Sequence, residues 1–176
     1  MNNLCQIFEE KKHWYKAAKS ANDNWGASIP VMMAFIHQES RFKAKAKPPR
    51  RKILWVIPGP RVSSAYGYSQ AKSTTWDWYK DSSGNRWVSR DNFGDAIDFI
   101  GWYNAQSKKQ NNIAANDAYN LYLAYHEGHG GFRRKTYNKK AWLKTVANKV
   151  SGRANSYALQ LQSCEKKLDK TGWWPF

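Results

Sequence analysis

No stretch of this 176-residue chain approaches the ~18 consecutive apolar residues that a membrane helix needs; the longest run, Ile29 to Ile36, is eight residues and holds a proline. A membrane-spanning segment is therefore excluded for the residues shown. Short-period repeats are missing too, which removes the collagen-like, coiled-coil and low-complexity classes. Convincing alternating strands are scarce. So is acid, with 13 Asp and Glu against 29 Lys and Arg. The resulting net charge of +16 should draw the chain to a polyanion: nucleic acid, an anionic membrane surface or a carboxylate-rich polymer.

Cysteine is limited to Cys5 and Cys164, near opposite ends, with no C-x-x-C pair or Cys/His cluster that would hold zinc. Their positions suit a disulfide tying the first helix to the last in an oxidising compartment, the alternative being two unpaired core thiols. The opening Met-Asn-Asn-Leu-Cys lacks a basic region followed by an apolar one, so an export signal is expected to be absent or already removed.

What the chain has in quantity is aromatic surface: ten Trp, ten Tyr and seven Phe. That is too much buriable area for a disordered chain, and the length suits a single domain over 1–176 with a substantial core. Helical stripes recur. Residues 7–21 carry Phe8, Trp14, Tyr15 and Ala18 on one side. Ser28-Ile-Pro opens a second helix with Ile29, Met32, Met33 and Ile36 at i, i+3, i+4, i+7. Further helices are expected over 68–80, from an Asp91 cap onward, over 114–125 with stops at Gly128, Gly130 and Gly131, and over 140–164. Between Phe42 and Ser64 the pattern dissolves into Pro48, Pro49, Pro58 and Pro60, with Lys43, Lys45, Lys47, Arg50, Arg51 and Lys52 among them. The expected architecture is mainly α with one long, basic, proline-containing loop.

Among the acidic residues Glu39 stands apart, three positions after an apolar stripe and at a helix C-terminus. Burial and the negative end of the helix dipole both disfavour its carboxylate and should raise its pKa. A carboxylic acid that stays protonated near neutrality is what glycoside cleavage needs, because the leaving oxygen must receive a proton. By itself the position also fits a helix-end Glu making an ordinary hydrogen bond.

Three motifs in order resemble the lytic transglycosylases with a goose-lysozyme-like catalytic domain. They are Glu39-Ser40 at a helix end, Gly67-Tyr68-Ser69-Gln70 in place of Gly-Leu-Met-Gln, and Ala124-Tyr125-His126-Glu127-Gly128 in place of Ala-Tyr-Asn-x-Gly. Order and approximate spacing agree over residues 29–130, with the terminal helices 7–21 and 140–164 expected to pack on that core. The resemblance implies a lysozyme-like fold and cleavage of the MurNAc-GlcNAc β-1,4 bond of peptidoglycan, with 1,6-anhydro ends and without a cofactor. Glu39 would be the sole acid/base, Ser40 would orient it or touch substrate, Gln70 would contact sugar, and Tyr125 would hydrogen-bond near Glu39. Tyr68 and Ser69 would stand where the family has an apolar wall. The string from Tyr125 to Phe132 and the Pro-Pro-Arg loop look like a lipoprotein-type bacterial branch. That implies a periplasmic monomer, with any lipid anchor at the outer membrane lying outside this chain, since bulky Leu4 speaks against lipidation of Cys5.

Glu127 adds a second carboxylate, and two carboxylates about 5 to 9.5 Å apart would permit hydrolysis instead; a supporting role beneath the site is the favoured alternative. His126 and His129 lack His-Glu-x-x-His spacing, so no metal is expected; His126 reads as buried and His129 as a loop residue. Trp14, Trp102 and Trp142 read as core, whereas Trp55, Trp76, Trp78 and Trp87 flank the motifs and could stack on sugars. An aromatic, basic groove would also suit single-stranded nucleic acid, but that reading leaves the three ordered motifs unexplained. The segment Lys43 to Arg61, anchored at both ends beside the motifs, is expected to wall the glycan groove.

Overall fold

The computed structural model describes residues 2–48, 50–53, 57–61 and 63–171, with side chains omitted for 50–53, 57–61 and 171. Seven α-helices, one 3-10 turn and one two-stranded antiparallel sheet are formed by these residues. The first expected helix is two, α1 (Leu4–Glu10) and α2 (Lys12–Trp25), broken at Lys11, whose backbone leaves the helical region. α2 ends at Gly26 in the left-handed conformation, as a helix stop without a Cβ penalty.

α3 (Ile29–Ser40) is the central element. Its predicted stripe is buried, and so are Val31, Ala34 and Phe35 on its other sides, so the helix is apolar all round and runs through the core. α5 (Phe93–Asn111), α6 (Ala118–Arg133) and α7 (Ala141–Thr171) surround it together with α2. α7 lies along α3, α6 and α1, and the Cys5–Cys164 disulfide joins α1 to α7. Trp14 stacks parallel on Phe93 at 3.9 Å between α2 and α5, and Tyr68 meets both rings edge-on.

Several boundaries differ from the sequence reading. α4 starts only at Ser73 and ends at Ser83, because residues 66–71 form a tight loop in which Gly67 and Gln70 both have positive φ. A Cβ on Gly67 would fall 1.9 Å from the Arg90 carbonyl oxygen, so glycine is required there by space as well as by φ. Asn92 caps α5, its side chain accepting from the Asp95 amide. Asp91 instead accepts from the Tyr66 hydroxyl at 2.9 Å. Within the basic segment, β1 (Arg50–Ile53) and β2 (Ile57–Arg61) pair antiparallel. Pro58 and Pro60 argue against a central strand, but a two-stranded ribbon has only edges, where proline is tolerated. Trp55 and the other residues between the strands lie outside the described residues.

Of the three glycines read as stops of the third motif's helix, only Gly128 interrupts it, at φ 75° and ψ 159°; the chain re-enters the helix and runs on to Arg133.

Candidate active site

α3 carries Glu39 in its last turn, and α6 crosses it so that Tyr122 and Tyr125, three residues apart on one helical face, both pack edge-on against Phe35 at 5.3 Å. The Tyr122 hydroxyl donates to Glu39 Oε1 at 2.8 Å. Tyr125 lies beside Glu39 in the same cavity but donates to the Ser69 carbonyl at 2.6 Å. The hydroxyl on the acid thus belongs to a tyrosine one turn before the motif residue. Spacing i, i+3 puts both tyrosines on one face of α6 but does not say which of them reaches the acid.

Glu39, Gln70, Tyr103, Tyr125, His126 and Glu127 are among the residues lining a cavity of about 490 Å³, together with Thr74 and Thr75 at the start of α4. Burial pushes the Glu39 carboxyl up to about 7, against the Tyr122 hydrogen bond, which favours the ionised form. Burial alone would raise Glu127 as well. There, however, Lys140 Nζ at 2.7 Å, the Thr136 hydroxyl and His126 Nδ1 at 3.1 Å outweigh it and lower the group to about 2. Two carboxyls line one cavity with opposite proton affinities. Glu39 can hold a proton at neutral pH, and Glu127 is a bound anion.

The remaining expected site residues divide. Gln70 lines the cavity with its amide fixed, donating to the carbonyls of Ala46 at 2.9 Å and Gly67 at 2.8 Å. Ser40 is buried, its hydroxyl donating back to the Ile36 carbonyl, so it finishes α3 and does not face the cavity. Tyr68 is not in the cavity lining; its ring belongs to the Trp14–Phe93 cluster. Ser69 is fully buried, and its side-chain oxygen has no hydrogen-bond partner among the described residues; its contribution is the carbonyl under Tyr125. Arg90, absent from the sequence reading, ties the motif loop at both ends by donating to the Ser64 and Ala71 carbonyls at 2.8 and 2.9 Å.

The two motif histidines exchange the places expected of them. His129 is buried, stacked on Tyr103 at 4.4 Å and hydrogen-bonded to Ser107, whereas His126 is exposed in the cavity. The Gly128 interruption rotates residues 129–133 out of the helical register of 118–127, so spacing rules do not carry across it. Trp142, expected in the core, is 55% exposed and meets His126 edge-on at 5.1 Å; Trp76, expected to flank the groove, is buried. Trp78 packs on Trp102, and Trp87 is fully in solvent.

No curated protein and no solved structure matches the chain. A family model described as a transglycosylase SLT domain matches residues 1–164, nearly the whole chain, and it spans α3, the motif loop and α6, which together build the cavity. The chain therefore belongs to the transglycosylase SLT-domain family and is a peptidoglycan lytic transglycosylase, a lyase with a mainly helical, lysozyme-like domain.

Proposed function

We propose that the chain cleaves the MurNAc-GlcNAc β-1,4 bond with Glu39 as its only acid/base and leaves 1,6-anhydro-MurNAc ends. The observation that carries this reading is the contrast between the two cavity carboxyls: Glu39 raised to about 7 and Glu127 lowered to about 2. Glu39 gives its proton to the glycosidic oxygen as the C1–O bond breaks, and the substrate's own N-acetyl oxygen closes on C1. The resulting Glu39 carboxylate takes the proton of the muramic 6-hydroxyl, whose oxygen attacks C1 and releases the N-acetyl group. Glu39 ends protonated, as it began. Hydrolysis by a second carboxylate would need Glu127 to act as nucleophile or base, and its three partners hold that carboxylate as a weakly basic anion.

On this reading Gln70 and Tyr125 touch the glycan, and the basic segment Lys43–Arg61 forms a wall of the groove, its beginning held at the motif loop by the Ala46 carbonyl, which accepts from the Gly67 amide at 3.0 Å. Stem peptides of peptidoglycan bear free carboxylates, which a chain of net charge +16 would attract. The Cys5–Cys164 disulfide supports work in an oxidising compartment, the periplasm. We place the enzyme there as a monomer, with any lipid anchor to the outer membrane lying outside this chain.

Mass spectrometry of digested murein tests the reaction. Product ends lighter than reducing ends by one water support the transglycosylase outcome, and reducing MurNAc ends would assign a hydrolase.

A further inference from the structure

Trp142, in the first turn of α7, is more than half exposed, and its ring meets His126 edge-on at 5.1 Å. A single exposed indole needs no explanation on its own. This one touches a residue that lines the Glu39 cavity, so the wall of that cavity continues from α6 onto α7. Leu143 and Ala147, both fully buried, hold the start of α7 on the core, so its packing does not require Trp142.

Glu127 fixes this corner of the molecule. Its carboxylate is bound by Lys140 Nζ at 2.7 Å, by the Thr136 hydroxyl and by His126 Nδ1 at 3.1 Å. Three stretches of chain are thereby tied together: α6, the 3-10 turn (Thr136–Lys139), and Lys140, which stands just before α7 and two residues before Trp142. The same contacts decide the state of the imidazole. A carboxylate paired with an ammonium group has no proton to give, so Nδ1 must be the donor, and in the neutral ring Nε2 is left with the lone pair. Nε2 has no partner among the described residues. An apolar ring beside a fixed hydrogen-bond acceptor suits a pyranose, whose C–H groups make an apolar face and whose hydroxyls and amide N–H make a polar edge.

We propose that Trp142 and His126 form a sugar subsite at the α7 side of the catalytic cavity, where the indole carries the apolar face of an N-acetylhexosamine ring of the glycan strand and His126 Nε2 accepts from a hydroxyl or the amide N–H of that sugar. The subsite rests on the reading that the strand runs through the Glu39 cavity. It gives Glu127 a part in recognition without a part in the chemistry: the buried carboxylate orients the imidazole and anchors the segment that brings Trp142 to the site. Trp142 acts on sugar binding and not on the breaking bond, so its removal should raise KM and leave kcat nearly unchanged.

Peptide-free glycan strands, prepared from murein with an amidase, are the probe, and the whole chain is used throughout. KM and kcat are measured in the wild-type background, and strand affinity by calorimetry in Glu39→Gln, where turnover does not consume the ligand. Trp142→Ala should raise KM and weaken affinity about fivefold, with kcat within about twofold. Trp142→Leu, which keeps an apolar side chain on α7 but removes the flat ring, should behave in the same way, and Trp142→Phe should restore binding to within about twofold of wild type. His126→Ala should weaken affinity about fivefold through the lost hydrogen bond. Trp87→Ala removes another exposed indole, between α4 and α5, and should leave both constants unchanged. Unchanged KM and affinity in Trp142→Ala and Trp142→Leu, an equal loss in Trp87→Ala, or a melting temperature lowered with binding intact would each overturn the subsite. Failure of the catalytic reading would appear separately, as turnover retained in Glu39→Gln, with the KM comparison still readable in the wild-type background.

Discussion

Tyr122 and Glu39, 83 residues apart in the chain, are joined by a 2.8 Å hydrogen bond that opposes the effect of burial on the acid. Removing the bond should let burial act unopposed. In Tyr122→Phe, Glu39 should move above about 7, the alkaline limb of the kcat profile should shift to higher pH, and kcat should fall about tenfold as the carboxyl loses its orientation. A limb that stayed in place or moved down would show that Tyr122 does not tune the acid.

Glu39→Gln preserves shape and removes the titrating proton. Turnover should drop by about 10² to 10⁴-fold or more, with the fold and glycan binding retained. Retention of more than about a tenth of wild-type activity would remove Glu39 from the catalytic role.

The same variant should change how stability depends on pH. Glu39 is raised from 4.5 to about 7 on folding, so its contribution is fully present below 4.5 and is lost as pH rises through about 7. His37 is lowered from 6.5 to about 4, so its contribution is present above 6.5 and is lost as pH falls through about 4. Between 4.5 and 6.5 the two slopes oppose one another. Melting curves of Glu39→Gln should therefore rise more steeply with pH in that window than those of the wild type, and the variant should be the more stable at pH 8. Parallel profiles would refute this.

Glu127→Gln should act on stability more than on chemistry. It breaks a carboxylate, only 3% exposed, away from Lys140 and Thr136, costing about 1 to 3 kcal/mol at pH 7. Because folding lowers Glu127 from 4.5 to about 2, the difference from wild type should shrink as pH falls through that interval. The folded fraction should keep more than about a tenth of its activity; a larger loss would give Glu127 a direct part in the reaction.

Neutralising Arg50, Arg51 and Lys52 together should weaken binding to murein sacculi more at low salt than at high salt and spare short, peptide-free oligosaccharides. Sacculi bound and digested at low salt as by the wild type would exclude the segment as a groove wall.

Much of this fold is legible along single helices. The stripe from Ile29 to Ile36 places α3 in the core, and the position just beyond it singles out Glu39, because both follow from a 3.6-residue period. The partners of the site are another matter. Arg90 meets Ser64 and Ala71 from 26 and 19 residues away in a loop without periodicity. Tyr122 is chosen over Tyr125 by the way α6 crosses α3, which no local pattern encodes. His126 and His129 are displaced by the dihedral angles of one glycine. Tyr68 and Ser69 occupy motif positions, but the turn at Gly67 directs the ring into the Trp14–Phe93 cluster.

The bridge between Cys5 and Cys164 closes a ring of covalent bonds around α3, the motif loop and α6. A pulling force applied to chain on either side of that ring divides at the two sulfurs, and the shorter path runs straight across from α1 to α7. α3, with Glu39, lies on the longer path. Tension applied to the chain before Cys5 and after Cys164 would be borne by the disulfide and would not draw Glu39 away from Tyr122.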